Sequence, residues 1–98
     1  MDQYQLCKYS ITCETNDLAV VHCLRALCQH NVQNCLPQIA WRRTSEKNWI
    51  RENNCIKLRF TSQKQRDDFV NDAKRLLPKD SWKEIDRSDN DPAKRQRK

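Results

Sequence analysis

The stretch CIKLRFTSQKQRDDFVNDAKRLLP, residues 55–78, decides the fold class, because its hydrophobic period changes once and at a marked place. In CIKLRF, Ile56, Leu58 and Phe60 alternate with Cys55, Lys57 and Arg59, the period-two pattern of a strand with one buried face. Further on, Phe69, Val70, Ala73, Leu76 and Leu77 fall at i, i+1, i+4, i+7 and i+8, the stripe of an amphipathic helix. Between the two, Ser62 and Gln65 form a capping-box pattern: the serine oxygen accepts from the Gln65 amide while the glutamine reaches back. Pro78 stops the helix.

The same reading extends towards the N-terminus. In YQLCKYSITC, residues 4–13, one parity carries Cys7, Tyr9, Ile11 and Cys13 and the other Leu6, Lys8, Ser10 and Thr12, which predicts a half-buried strand. Thr15, Asn16 or Asp17 can cap the helix that follows, whose stripe is Val20, Val21, Leu24, Leu27 and Cys28. After Pro37, the alternation of Ile39, Trp41 and Arg43 with Ala40 and Arg42 predicts a strand over residues 38–43, joined to residues 55–60 by a polar connection. SWKEID, residues 81–86, reads as a short final strand.

The resulting order is βαββαβ, an α+β domain of the ferredoxin-like kind, with two helices on one face of a four-stranded antiparallel sheet. With Ile11, Ile39, Ile56, Leu58 and Phe60 turned inward, the open face presents Lys8, Arg42, Lys57 and Arg59. At 98 residues the chain supports one core, placed in residues 1–87, with residues 88–98, SDNDPAKRQRK, as a disordered basic tail.

Composition excludes several functions. The chain has no glycine, so a P-loop, a dinucleotide-binding GxGxxG turn and a GxSxG nucleophile elbow, which need glycine where the backbone bends sharply or meets a ligand, are ruled out. Turns fall to Asn, Asp, Ser and Pro instead. No apolar run reaches the roughly 18 residues of a membrane span, and the polar start MDQYQ leads into no signal-peptide core. A cytoplasmic location with reduced thiols is therefore expected for the six cysteines, with Cys35 and Cys55, near loops, the most open to oxidation.

The cysteine intervals are 6, 10, 5, 7 and 20, with none of the close pairs that bring two zinc ligands onto one turn. On the first helix, Cys23 and Cys28 lie about 140° apart at about 100° per residue, so they do not converge. His22 points about 100° away from the neighbouring Cys23, too far for a thiolate and its base. No catalytic, cofactor-binding or metal-binding residue is assigned, and a non-enzymatic protein is expected.

Formal charge is +6, a balance that favours acidic partners. The last eleven residues hold four of the nineteen basic groups and two of the thirteen acidic ones, leaving fifteen against eleven on the body. Two binding modes fit. A basic sheet face with nearby Trp41, Trp49 and a KRQRK tail combines phosphate-directed charge with stacking platforms for single-stranded nucleic acid. However, Lys57 and Arg59 stand where an RNA-recognition motif shows aromatics. Docking to a protein uses tryptophan and arginine as buried anchors. The candidate contact residues are Lys47, Trp49 and Arg51 in the connection, with Trp49 expected to be exposed, beside the basic strip of Arg42, Lys57 and Arg59.

Taken together, LPQIAW, EKNWI, KLRFTS, DDFVNDAKRLLP and SDNDPA resemble a small family of lambdoid-phage proteins, the anti-RecBCD protein 2-like family, from about residue 4 to residue 93. The resemblance implies a phage accessory protein of the host cytoplasm that binds the RecBCD helicase-nuclease through its RecC subunit and inhibits or redirects it. It assigns no residue a role.

Overall fold

The computed structural model describes residues 3–32, 37–41 and 44–92. In chain order the elements are α1 (Gln3–Leu6), β1 (Tyr9–Glu14), α2 (Leu18–Asn31), α3 (Pro37–Ala40), α4 (Glu46–Arg51), β2 (Cys55–Phe60), α5 (Gln63–Leu76) and β3 (Lys83–Ser88). The three strands form one antiparallel sheet in the order β2-β1-β3.

Strand and helix begin where the local chemistry allows. The Asp17 side chain caps α2 by accepting from Ala19 N at 2.9 Å. Thr15 takes another task, donating its hydroxyl to Ser81 O at 2.6 Å and so tying the end of β1 to the approach to β3. At α5, Ser62 accepts from Gln65 N at 3.2 Å, as the capping box requires. Gln65 reaches one residue further back than predicted, accepting from Thr61 N and Thr61 Oγ1.

Sheet register follows the buried parity. Ile11 stands opposite Leu58, Cys13 opposite Ile56 and Tyr9 opposite Phe60. Five of these six are buried in the core with Val21, Leu24 and Cys28 of α2 and Phe69, Val70 and Ala73 of α5, while Tyr9 packs partly buried against it. Phe60 and Phe69 join strand to helix at a ring separation of 5.3 Å. The opposite parity, Ser10, Thr12 and Glu14 against Arg59, Lys57 and Cys55, forms the open face. On the other flank, the register with β3 shifts between Thr12 and Cys13, so Ile85 falls at an irregularity and is left exposed.

Two expectations need correction. The strand predicted for residues 38–43 is not formed where the chain is described: Pro37–Ala40 is a short helix, residues 42–43 lie outside the described residues, and among the described residues there is no fourth strand. Proline favours the first helical position, where its missing N–H costs nothing. Ile39 is nevertheless buried, since one turn of helix delivers it to the core as well as a strand could. The polar connection contains α4, capped by Ser45, which accepts from Asn48 N at 3.4 Å.

The C-terminal boundary also moves. Ser88 pairs with Ser10 in the sheet, and Asp91 N donates to Lys8 O at 2.8 Å, so residues 88–91 belong to the folded body. The basic residues 94–98 lie outside the described residues.

Candidate functional site

The predicted contact residues separate into three environments. Lys47 and Arg51 are exposed on α4, and at helical spacing they share one outer face with Ile50, the most exposed large hydrophobic side chain among the described residues at 60%. Ile50 was not singled out from the sequence, because an isoleucine beside a tryptophan in a short polar segment has no periodicity to place it. Its exposure follows from the orientation of α4, whose opposite side carries Trp49.

Trp49 corrects the expectation of exposure. It is only 8% exposed and belongs to the core cluster. Its Nε1 donates to Thr15 O at 2.9 Å, which satisfies the indole N–H that burial would otherwise leave unpaired. Trp41 packs partly buried against the same core. Neither tryptophan is a free stacking platform.

Lys57 and Arg59 lie on the open sheet face as predicted, but their charge is already engaged. Asp91 Oδ2 accepts from Lys57 Nζ at 2.9 Å and from Ser10 Oγ at 3.1 Å. Arg59 donates its Nε to Asp91 O at 3.0 Å, and its Nη2 stands 3.5 Å from Asp91 Oδ1. Partial burial works against the carboxylate's charge, yet the Lys57 bond, the Arg59 charge and the Ser10 hydroxyl outweigh it and hold the carboxyl below its usual range. Lys8, expected on the same face, has its Nζ 5.6 Å from the Tyr9 ring centroid. Arg42 lies outside the described residues.

A second clamp holds the same segment from the helix side. Arg66, in the first turn of α5, is 1% exposed. Its Nη1 donates to Ser88 O at 2.9 Å and to Ser10 O at 3.5 Å, and its Nη2 pairs with Asp89 Oδ1 at 2.7 Å. Its Nε is buried and makes no hydrogen bond among the described residues. The segment after β3 is thus anchored twice, by a buried guanidinium at Asp89 and by a partly exposed cation pair at Asp91. Neither anchor has a local sequence signal, since each joins residues 20 or more positions apart.

Other features are weaker. Among the described residues there is no group of three or more His, Cys, Asp or Glu side chains placed to hold a metal ion, and no helix is long and apolar enough to cross a membrane. A groove between the end of α2 and the start of α5 has a polar lining of His30, Asn31, Ser62, Lys64, Gln65 and Asp68. Of the two cysteines expected to oxidise, Cys35 lies outside the described residues, and the Cys55 thiol is pushed up by burial and by Glu14 and Glu52, which opposes thiolate formation.

Comparison with protein-family models, with curated proteins and with solved structures finds no match to this chain.

Proposed function

We propose that this protein is a non-enzymatic phage accessory protein that binds the host RecBCD helicase-nuclease by protein contact, through its RecC subunit, and inhibits or redirects it in the host cytoplasm. The partner's identity rests on the resemblance of LPQIAW, EKNWI and DDFVNDAKRLLP to the anti-RecBCD family. The choice of protein contact over nucleic acid rests on one observation, that Asp91 occupies Lys57 and Arg59. A strip whose two cations share one carboxylate, with Asp86 and Glu14 on the same face, offers little to a phosphate backbone, whose affinity comes from neutralising several unpaired charges along its track. The outer face of α4 supplies an apolar contact with charged flanks, exposed Ile50 with Lys47 and Arg51. On the fold, we read the sheet as a ferredoxin-like arrangement in which α3 and α4 stand where its remaining strand was expected.

The test is retention of purified RecBCD by the immobilised protein, with and without nuclease treatment. Retention should survive digestion, and joint substitution Lys47→Ala, Ile50→Ala, Arg51→Ala should weaken it at least tenfold while leaving the thermal melt in place. Failure to retain RecBCD at moderate salt rejects the reading. Retention only through DNA, or direct oligonucleotide binding with a log-log salt slope of about −0.7 per phosphate, selects the single-stranded nucleic-acid alternative.

A further inference from the structure

Asp91 is held on the open sheet face as a bound peptide residue would be. Its carboxylate takes Ser10 Oγ, Lys57 Nζ and Arg59 Nη2, its carbonyl takes Arg59 Nε, and its N–H gives to Lys8 O. Three donors from two adjacent strands therefore converge on one carboxylate. We propose that Ser10, Lys57 and Arg59 form a carboxylate-binding site for an Asp or Glu side chain of the protein partner, with Asp91 as its occupant in the unbound protein. This deepens, and rests on, the protein-contact reading above.

The two anchors of the segment differ in the way an exchange requires. Arg66 is buried, and withdrawing Asp89 from it strands a guanidinium away from water. The Asp91 end is reached by solvent, with side-chain exposures of 44% for Lys57, 30% for Asp91 and 17% for Arg59 above a buried Ser10, and such partly exposed pairs hold far less firmly than a buried one. The Asp91 end can therefore lift while the Asp89 end stays seated. An incoming carboxylate takes over the three side-chain donors that the Asp91 carboxylate held, so the exchange loses the two main-chain bonds of Asp91, from Arg59 Nε and to Lys8 O, which a bound peptide backbone can remake.

The surroundings favour a single carboxylate over a polyanion. Thr12 stands between Lys57 on one strand and Asp86 on the other, and Glu14 continues the same face, paired with Lys83 at 3.1 Å. A phosphate backbone tracking across the strands would meet those acids, whereas one inserted side chain meets only the cation pair.

The experiment uses the full chain with Asp91→Ala, and Asp91→Asn as the variant that keeps the side-chain shape. Each is titrated with an acetylated, amidated SDNDP peptide, with the SNNNP version, and with oligothymidylate, followed by fluorescence anisotropy. The expected result is binding of SDNDP at least tenfold tighter than by the unsubstituted protein, absent for SNNNP and abolished when Arg59→Ala is added. Equal peptide binding with and without Asp91 overturns the proposal, as does a gain for oligothymidylate alone, which would make the site a phosphate site. RecBCD retention by the unsubstituted protein separates the two readings. Retention without a peptide gain sinks only the carboxylate site, and a peptide gain without retention sinks only the RecBCD reading.

Discussion

The indole Nε1 of Trp49 donates a 2.9 Å hydrogen bond to the main-chain oxygen of Thr15, fastening α4 to the end of β1. The contact explains why a tryptophan in a polar segment turns inward: it buries a large apolar area and meets a carbonyl just past the end of the central strand. Trp49→Ala is expected to cost about 3–5 kcal/mol, as removal of a buried aromatic side chain does. Trp49→Phe retains most of the packing and loses the bond, for about 1–3 kcal/mol. Urea denaturation measures both. If Trp49→Ala left the midpoint unchanged while weakening RecBCD retention, Trp49 would be a contact residue after all.

Arg66 is the second residue on which the fold should depend. Its guanidinium joins α5 to Ser10 of β1 and to Ser88 and Asp89 at the end of β3. Arg66→Ala is predicted to destabilise by about 1–3 kcal/mol, since it takes the donor from Ser88 O and Ser10 O while Asp89, 60% exposed, returns to water. Arg66→Lys should recover little, since an ammonium lacks the planar fork that reaches three acceptors at once. Asp89→Ala tests the same clamp from its exposed side. Hydrogen exchange at residues 86–91 should rise in all three variants, and an unchanged pattern in Arg66→Ala would show the segment to be held by Asp91 alone.

Acid stability follows from the carboxylates of the same region. Asp91 and Glu84 both have depressed values in the folded protein. In Asp91 partial burial is outweighed by Lys57, Arg59 and Ser10, and in Glu84 the bond from Arg87 outweighs burial. A carboxyl more acidic when folded stabilises the protein above its unfolded value of about 4, and that contribution is lost as pH falls through the folded value. The unfolding midpoint should therefore decline from about pH 5 downward, and Asp91→Asn should flatten the decline. An acid limb identical in the two proteins would show that Asp91 contributes nothing to it.

How legible these features were depends on the range of the interactions that make them. Residues 55–78 read correctly because alternation, capping box and helical stripe are all local, and the helix stripe needs no partner to be recognised. Residues 38–43 misled because alternation over so short a run is compatible with a helix beginning at Pro37. Trp49 and Asp91 could not be placed at all from local pattern. Their positions are set by Thr15, 34 residues away, and by Ser10, 81 residues away. The α4 patch suffered the same way, since Ile50 is exposed only because Trp49 is not.

Thiol reactivity should follow burial and neighbouring charge. Cys13 is buried in the core, and burial together with the Glu84 charge pushes its thiol up to about 12. Cys23 is exposed on α2. Brief treatment of the native protein with iodoacetamide near neutral pH should modify Cys23 first and Cys55 more slowly, with Cys13 reached only after unfolding. Peptide mapping reads the order. Labelling of Cys13 as fast as Cys23 would mean that the sheet opens on the time scale of the reaction.

The turn from α4 into β2 does without glycine what chains usually do with it. Asn53 and Asn54 have φ of 57° and 66°, two successive residues in the left-handed region, and the chain has no glycine to put there. Asparagine tolerates this region better than other residues with a Cβ, because its short polar side chain bonds locally. Asn54 does more: its N–H donates to Trp49 O at 2.8 Å, its O accepts from Thr15 N at 3.1 Å, and its side chain donates to Asn16 Oδ1 at 2.9 Å. The turn thus holds Trp49 and Thr15 in the register their own bond needs. Asn53→Ala should cost about 1 kcal/mol, the left-handed penalty for an ordinary residue. Asn53→Gly should fall within about 0.5 kcal/mol of the natural chain, as easier access to positive φ offsets the greater freedom of the unfolded state. Asn54→Ala should lose more than Asn53→Ala, since it also removes the Asn16 bond. Denaturant titration ranks the three, and a loss for Asn53→Gly as large as for Asn53→Ala would show that the side chain, and not backbone conformation, makes asparagine necessary there.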